Sequence, residues 1–163
     1  MPYIHLLKVL YIADREYLAE HGYMITGDKV VAMTHGPVLS RILNMIKGRA
    51  RSSGIWQASI KTSGKYNIRL VSDPGDGDLS RAITAKLDVV FGRFGKLEPF
   101  RVVQLTHDFP EWSKHYTVGT STLIPWQEIL RAQGKEQMEP IATEQIKLQA
   151  HQQALRKAAN ETR

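Results

Sequence analysis

This chain has no cysteine, so neither a disulfide framework nor a thiolate zinc site is open to it. It has no apolar run approaching the roughly 18–20 residues that a membrane-crossing helix needs. The opening residues, Met1-Pro2-Tyr3-Ile4-His5, lack the basic start and small-residue cleavage pattern of a secretory signal. These absences set a cytoplasmic location, with no membrane partner, as the expectation. Recognisable catalytic patterns are missing as well. Gly75 and Gly77 stand before a helical stretch, but no lysine follows at the spacing of a phosphate-binding loop. No serine occupies a nucleophile-elbow context. The histidines His5, His21, His35, His107, His115 and His151 include no i, i+4 pair of the kind that grips a metal. The alternating aspartates of Asp73-Pro74-Gly75-Asp76-Gly77-Asp78 lack the further oxygen ligands of a calcium loop.

The most telling absence is local. Between Lys29 and Ser72 there is no acidic residue at all, while eight basic ones occur: Lys29, Arg41, Lys47, Arg49, Arg51, Lys61, Lys65 and Arg69. The whole chain carries 22 Lys+Arg against 16 Asp+Glu, so this block holds its uncompensated charge. Like charges so concentrated attract an anionic partner, with an affinity that weakens as salt rises. Arg41, Lys47, Arg49, Arg51, Lys61, Lys65 and Arg69 are the candidate partner-facing surface.

What is present is enough for one ordinary domain. At 163 residues the chain can build a real core, and 42% apolar with 23% charged residues places it among globular rather than disordered sequences. Tyr3, Leu6, Leu7, Leu10, Ala13, Asp14, Tyr17 and Leu18 recur at helical spacing up to about Glu20, with Gly22 suited to the position after the last turn. Asp14 falls beside the buried stripe, where a carboxylate needs partners. After a turn at Ile25-Thr26-Gly27-Asp28, residues 29–33 read as a strand. Gly36-Pro37 reads as the start of a second helix, with Pro37 in its first turn and Val38, Leu39, Ile42, Leu43 and Ile46 on its apolar face. Trp56, Ala58 and Ile60, then Tyr66, Ile68 and Leu70, alternate around Ser63-Gly64 and predict a β-hairpin over 55–71. Asp76 or Asp78 is the expected N-cap of a helix carrying Leu79, Ile83, Leu87, Val90, Phe91 and Phe94 and closed by Gly95. Short helices are expected at 100–106, 110–115 and 125–132, a loop at 118–123, and a thinly amphipathic helix from Ile141 onward. The sum is an α+β fold: a mostly α-helical single domain with a small antiparallel β-sheet or hairpin.

Four blocks then fall into a recognisable order: LLKVLYIAD at 6–14, MITGDKVVAMTHGPV at 24–38, LTHDFPEW at 105–112 and IPWQEIL at 124–130. In sequence, order and spacing they resemble the Panacea domain family, the SocA-like antitoxins of bacterial and phage toxin–antitoxin pairs. His35 stands where relatives carry an aromatic residue. The resemblance implies a Panacea domain over 1–134, a C-terminal helical extension over 135–163, and no usual extra helix ahead of the first block. It implies an antitoxin that neutralises a cognate toxin by direct protein contact. It brings no catalytic residue, metal or cofactor, so Asp14, Gly36, Pro37, His107 and Trp112 carry over as motif positions with structural roles. The rival expectation is a DNA-binding regulator, because a helix over 38–47 followed by a basic hairpin resembles a winged helix-turn-helix. A third is a hydrolase in which His35, His107 and Asp14 converge.

Overall fold

Helix α1 (Tyr3–His21) is the axis of the molecule. From Leu6 to Ala13 nearly every residue is apolar, and a helix apolar on most sides has to be covered on most sides. Leu7, Val9, Tyr11, Ile12, Ala13, Tyr17 and Leu18 are at most 5% exposed, whereas Tyr3, Leu6 and Leu10, expected on the buried face, are only partly covered. Gly22 ends the helix at a φ of +79°, and its N–H donates to the Leu18 carbonyl at 2.9 Å. The computed structural model describes residues 1–77 and 79–161.

Strand β1 (Val30–Met33) turns through Thr34-His35 into β2 (Gly36–Leu39), and β5 (Thr122–Ile124) pairs with the other edge of β1. The order is β2-β1-β5, antiparallel throughout. Two expectations are corrected here. Gly36-Pro37 does not begin a helix; Pro37 lies opposite Ala32 in β2, and helix α2 (Ser40–Ile46) starts three residues later. Pro37 is tolerated because β2 is an edge strand, where a missing N–H removes no ladder bond. The segment expected to be a loop over 118–123 gives its last two residues to β5.

The stretch read as the first hairpin strand is in part helical. Helix α3 (Gly54–Ser59) is capped by Ser53, whose Oγ accepts from the Trp56 N–H at 3.1 Å. That local cap outweighs the Trp56/Ala58 alternation, and Ala58 is exposed. The hairpin proper is β3 (Ile60–Ser63) and β4 (Asn67–Leu70), with Lys61 directly opposite Arg69.

Helix α4 (Arg81–Phe94) is capped by Ser80, which accepts from the Ile83 N–H, rather than by Asp76, so Leu79, expected on its apolar face, stands ahead of the cap and is exposed; Asp78 lies outside the described residues. Helices α5 (Pro99–His107), α6 (Pro110–His115) and α7 (Trp126–Arg131) follow, α6 opened by Pro110 as expected and α5 by Pro99, one residue ahead of its expected start. A 3₁₀ turn (Glu136–Met138) leads into α8 (Glu139–Glu161). One core joins α1 to the β2-β1-β5 sheet, α2, α7, Ile68 of β4 and Ala142 of α8. A smaller one packs Val9, Ile12 and Ala13 against Val90 of α4 and Val102 of α5. Sharing α1, they make a single α+β domain.

Candidate functional site

The motif residues converge, and what they build is internal. Lys8, in the middle of the first block, is fully buried and donates from Nζ to the Pro37 carbonyl at 2.6 Å. Burial holds its amine down from 10.5 to about 7. Gly36 lies against the same point at a φ of +88°, and a Cβ there would stand 2.6 Å from Thr106 Oγ1 and 3.1 Å from Lys8 Nζ. His107 follows Thr106, and its ring stacks on Trp112 at 4.2 Å between centroids, with Trp112 in turn stacked on Tyr116 at 4.8 Å. Trp112 Nε1 donates to the Met33 carbonyl at 2.9 Å, tying α6 to the end of β1. Burial, then the charges of Lys8 and His35, keep His107 below its usual pKa, with Asp108 opposing. His107 Nε2 is buried and has no hydrogen-bond partner among the described residues.

Asp14 and two acids that sequence reasoning missed complete the scaffold. Asp14, fully buried, accepts from the Thr26 N–H at 2.9 Å on one oxygen and from the Thr26 hydroxyl on the other. Burial lifts its pKa from 3.8 to about 6 against the pull of those bonds. Asp28 accepts from the N–H groups of Arg41 and Ile42, both at 2.9 Å, and so caps α2 from across the chain. Glu111, 1% exposed, accepts from Tyr11 Oη at 2.7 Å and from Arg15 Nε at 2.6 Å, while Arg15 lies over the Phe109 ring. Burial and the Glu111 charge hold the Tyr11 phenol well above its usual pKa. A lysine within an apolar run was the one visible signal for Lys8. Nothing local marks Glu111, whose partners lie about a hundred positions away.

The three residues of the hydrolase reading are not brought together. His35 is exposed on the β1–β2 turn, edge-on to Phe100, and close enough to His107 for the two charges to interact. Asp14 is engaged with Thr26, and the charges acting on His107 are those of Lys8, His35 and Asp108. Among the described residues no group of three or more His, Asp or Glu could hold a metal ion.

The exterior is different. Lys29, Arg41, Lys47, Arg49, Arg51, Lys61, Lys65 and Arg69 are all exposed, and among the described residues none takes part in an ion pair. The acids are used elsewhere: Lys86 reaches Glu16 and Glu20, Arg93 reaches Glu16, and Lys114 and Arg131 share Glu128. Within the basic segment Lys47 sits over the Tyr3 ring and Lys65 over Tyr66. Ile55, Tyr66, Leu70 and Val71 are exposed among these cations. Trp56 is half-buried against the core. The loop joining α2 and α3, together with the β3–β4 hairpin, therefore carries a cationic face interspersed with apolar side chains.

Comparison with known proteins agrees with the motif reading. A search of curated proteins and of solved structures found no match. The family model described as antitoxin SocA-like, Panacea domain, matches residues 6–113, which contain the first three blocks and every motif residue placed above. That span exceeds half of the 163 residues, and the chain belongs to the SocA-like antitoxin family with a Panacea domain.

Proposed function

We propose that this protein is an antitoxin that neutralises a cognate toxin by binding it directly, and that it catalyses no reaction of its own. The observation that carries the reading is family membership over a span whose motif residues are engaged in holding the fold. With the motif turned inward, the chemistry left for a partner is the exterior, where uncountered cations lie beside exposed aliphatic and aromatic side chains. A protein interface of standard size, roughly 800 Å² per partner, fits on such a domain. In this reading the chain works in the cytoplasm; among the described residues no helix is long and apolar enough to cross a membrane.

Co-expression tests it. The product of the open reading frame beside this chain's gene is expected to arrest growth alone, and to be harmless and co-purify when this chain is made with it. Growth arrest that persists despite folded, abundant chain removes the proposal.

One observation favours the DNA-binding reading: eight exposed cations around a helix and hairpin. The helix it relies on weakens it. Within the expected span 38–47 only α2 (Ser40–Ile46) is helical, it offers base edges one exposed cation, Arg41, and α3 stands between it and the hairpin. Reversing charge at Arg49, Arg51 and Lys65 separates the two readings. A regulator loses DNA retention while toxin neutralisation persists.

A further inference from the structure

Resting on the antitoxin reading, we infer that the toxin is engaged through an acidic, extended segment that adds as a strand to the free edge of β3, with an apolar side chain seated beside Trp56. The hydrogen bonds of the hairpin define that edge. Ile68 stands opposite Thr62 in the β3–β4 register, and both its backbone groups are bonded on the far side, its N–H to the Met1 carbonyl and its carbonyl to the Met1 amine, each at 2.9 Å. Ile68 thus directs its N–H and C=O away from β3. The Thr62–Ile68 pair is a non-hydrogen-bonded one, and the Thr62 N–H and C=O face outward. Among the described residues this sheet contains only β3 and β4, and Thr62 is exposed, so the outward edge is open.

Three further features match an incoming strand. A groove of about 340 Å³ runs beside the edge, lined by Met45, Trp56, Ile60, Lys61 and Ile68 among others. Gly48 and Ser52 also line it, and they place Arg49 and Arg51 at its border. Lys61 and Arg69 stand directly opposite one another, a like-charge arrangement that costs stability in isolation and is relieved by an anion lying over both. Strand addition takes its affinity from main-chain hydrogen bonds and its selectivity from alternate side chains.

The occupant is acidic because the chain supplies no counter-charge of its own between Lys29 and Ser72. A second copy of the chain would bring the same cations, Arg49, Arg51, Lys61 and Arg69, to the same edge and is disfavoured by repulsion. A lone edge lysine serves to block unwanted strand pairing, but a whole cationic face exceeds that need. A nucleic acid is the weaker fit: Tyr66 could stack a base but has Lys65 over its ring, and the side chains beside it, Ile55, Leu70 and Val71, 63%, 57% and 44% exposed, are aliphatic and offer bases no stacking surface. A protein interface with an apolar centre and a charged border uses all of them.

The test uses the full chain with the adjacent-gene product as probe, and a random duplex DNA alongside. In the complex of the unaltered proteins, amide exchange at Thr62 is expected to slow by about tenfold or more relative to the free chain. Thr62→Pro, which removes an outward N–H and no ladder bond, is expected to weaken binding by about tenfold or more while the circular dichroism stays unchanged. Lys61→Glu with Arg69→Glu is expected to do the same and to flatten the salt dependence of association. A complex that forms with Thr62 exchanging freely, and with both variants binding like the parent, overturns this inference and leaves the antitoxin reading standing. DNA retention that only the charge reversal abolishes, with the protein complex untouched, overturns it in favour of nucleic acid. No complex with the unaltered chain removes both.

Discussion

Lys8 and Asp14 sit less than two turns apart on α1, both fully buried, and neither is paired with an opposite charge among the described residues. Their linkage to folding runs in opposite directions. Lys8 titrates near 7 in the folded chain and near 10.5 when unfolded, so between these values the unfolded state binds the extra proton. Stability from this group is complete above about 10.5 and is lost as pH falls through about 7. Asp14 is raised from 3.8 to about 6, so its contribution is complete below 3.8 and is lost as pH rises through about 6. Together they place a stability minimum near neutrality, between the two windows. His107, lowered by burial, acts in the same direction as Lys8 but below 6.5, where it offsets part of the Asp14 loss. Lys8→Met is expected to remove the alkaline rise in urea midpoint that the parent shows between pH 7 and 10, worth on the order of a few kcal/mol at its full extent. Asp14→Asn should remove the acid-side rise and leave the alkaline one. Parallel midpoint curves for parent and Lys8→Met across that alkaline range would mean the amine is charged in the fold.

At the scale of elements, α2 is the instructive one. It has no side-chain cap of its own, since Leu39 precedes it, and it receives its acceptors from Asp28 in the loop before β1. Asp28→Ala leaves the N–H groups of Lys29, Arg41 and Ile42 without that carboxylate. The expected loss is about 1–2 kcal/mol in urea unfolding, the range for a missing helix cap. Asp28→Asn, which keeps one acceptor oxygen, should cost less; equal losses would point to charge rather than capping. The same element shows what the sequence can and cannot tell. Helices α1, α4, α5, α6 and α7 are legible because their signals are local: helical spacing, a closing Gly22, and Pro110 in a first turn. Pro37 was misread because its tolerance in β2 depends on β2 being an edge, a fact decided by β1 and β5 far along the chain. Residues 55–59 are helical rather than extended because alternation and a short helix look alike over so short a stretch, and the Ser53 cap decides between them. Of the candidate site, the cationic face was countable in the sequence. The open edge at Thr62 was not, because it depends on where Ile68 sends its backbone bonds.

The whole molecule is closed by α8, and the closure is uneven. Near its start Ala142 is fully buried in the main core, Met138 packs against that core just before it, and Ile141 approaches Gly22 so closely that a Cβ there would come within 2.8 Å of its side chain. Further on, Ile146, Gln149 and Ala150 form one wall of a cleft of about 390 Å³ whose other walls include Met24, Val30, Trp126 and Ile129. Leu148 and Leu155 are 50% and 57% exposed, so burial is concentrated where α8 meets the end of α1. A chain ending at Gly134 uncovers the C-terminal end of α1, the 23–30 loop and α7 together. Losing the Met138, Ile141, Ala142 and Ile146 contacts is expected to cost on the order of 3 kcal/mol or more at roughly 25 cal/mol per Å² of apolar surface. For a domain of this size that lowers the melting temperature by roughly 6–12 °C. Ala142→Glu in the full-length chain, which forces a charge into the same seam, should lower it comparably. If the shortened chain melts with the parent, residues 135–163 are an extension the domain does not need. A lowered melt in both variants instead makes α8 part of the cooperative unit, and any partner that grips α8 then acts on the stability of the whole antitoxin domain.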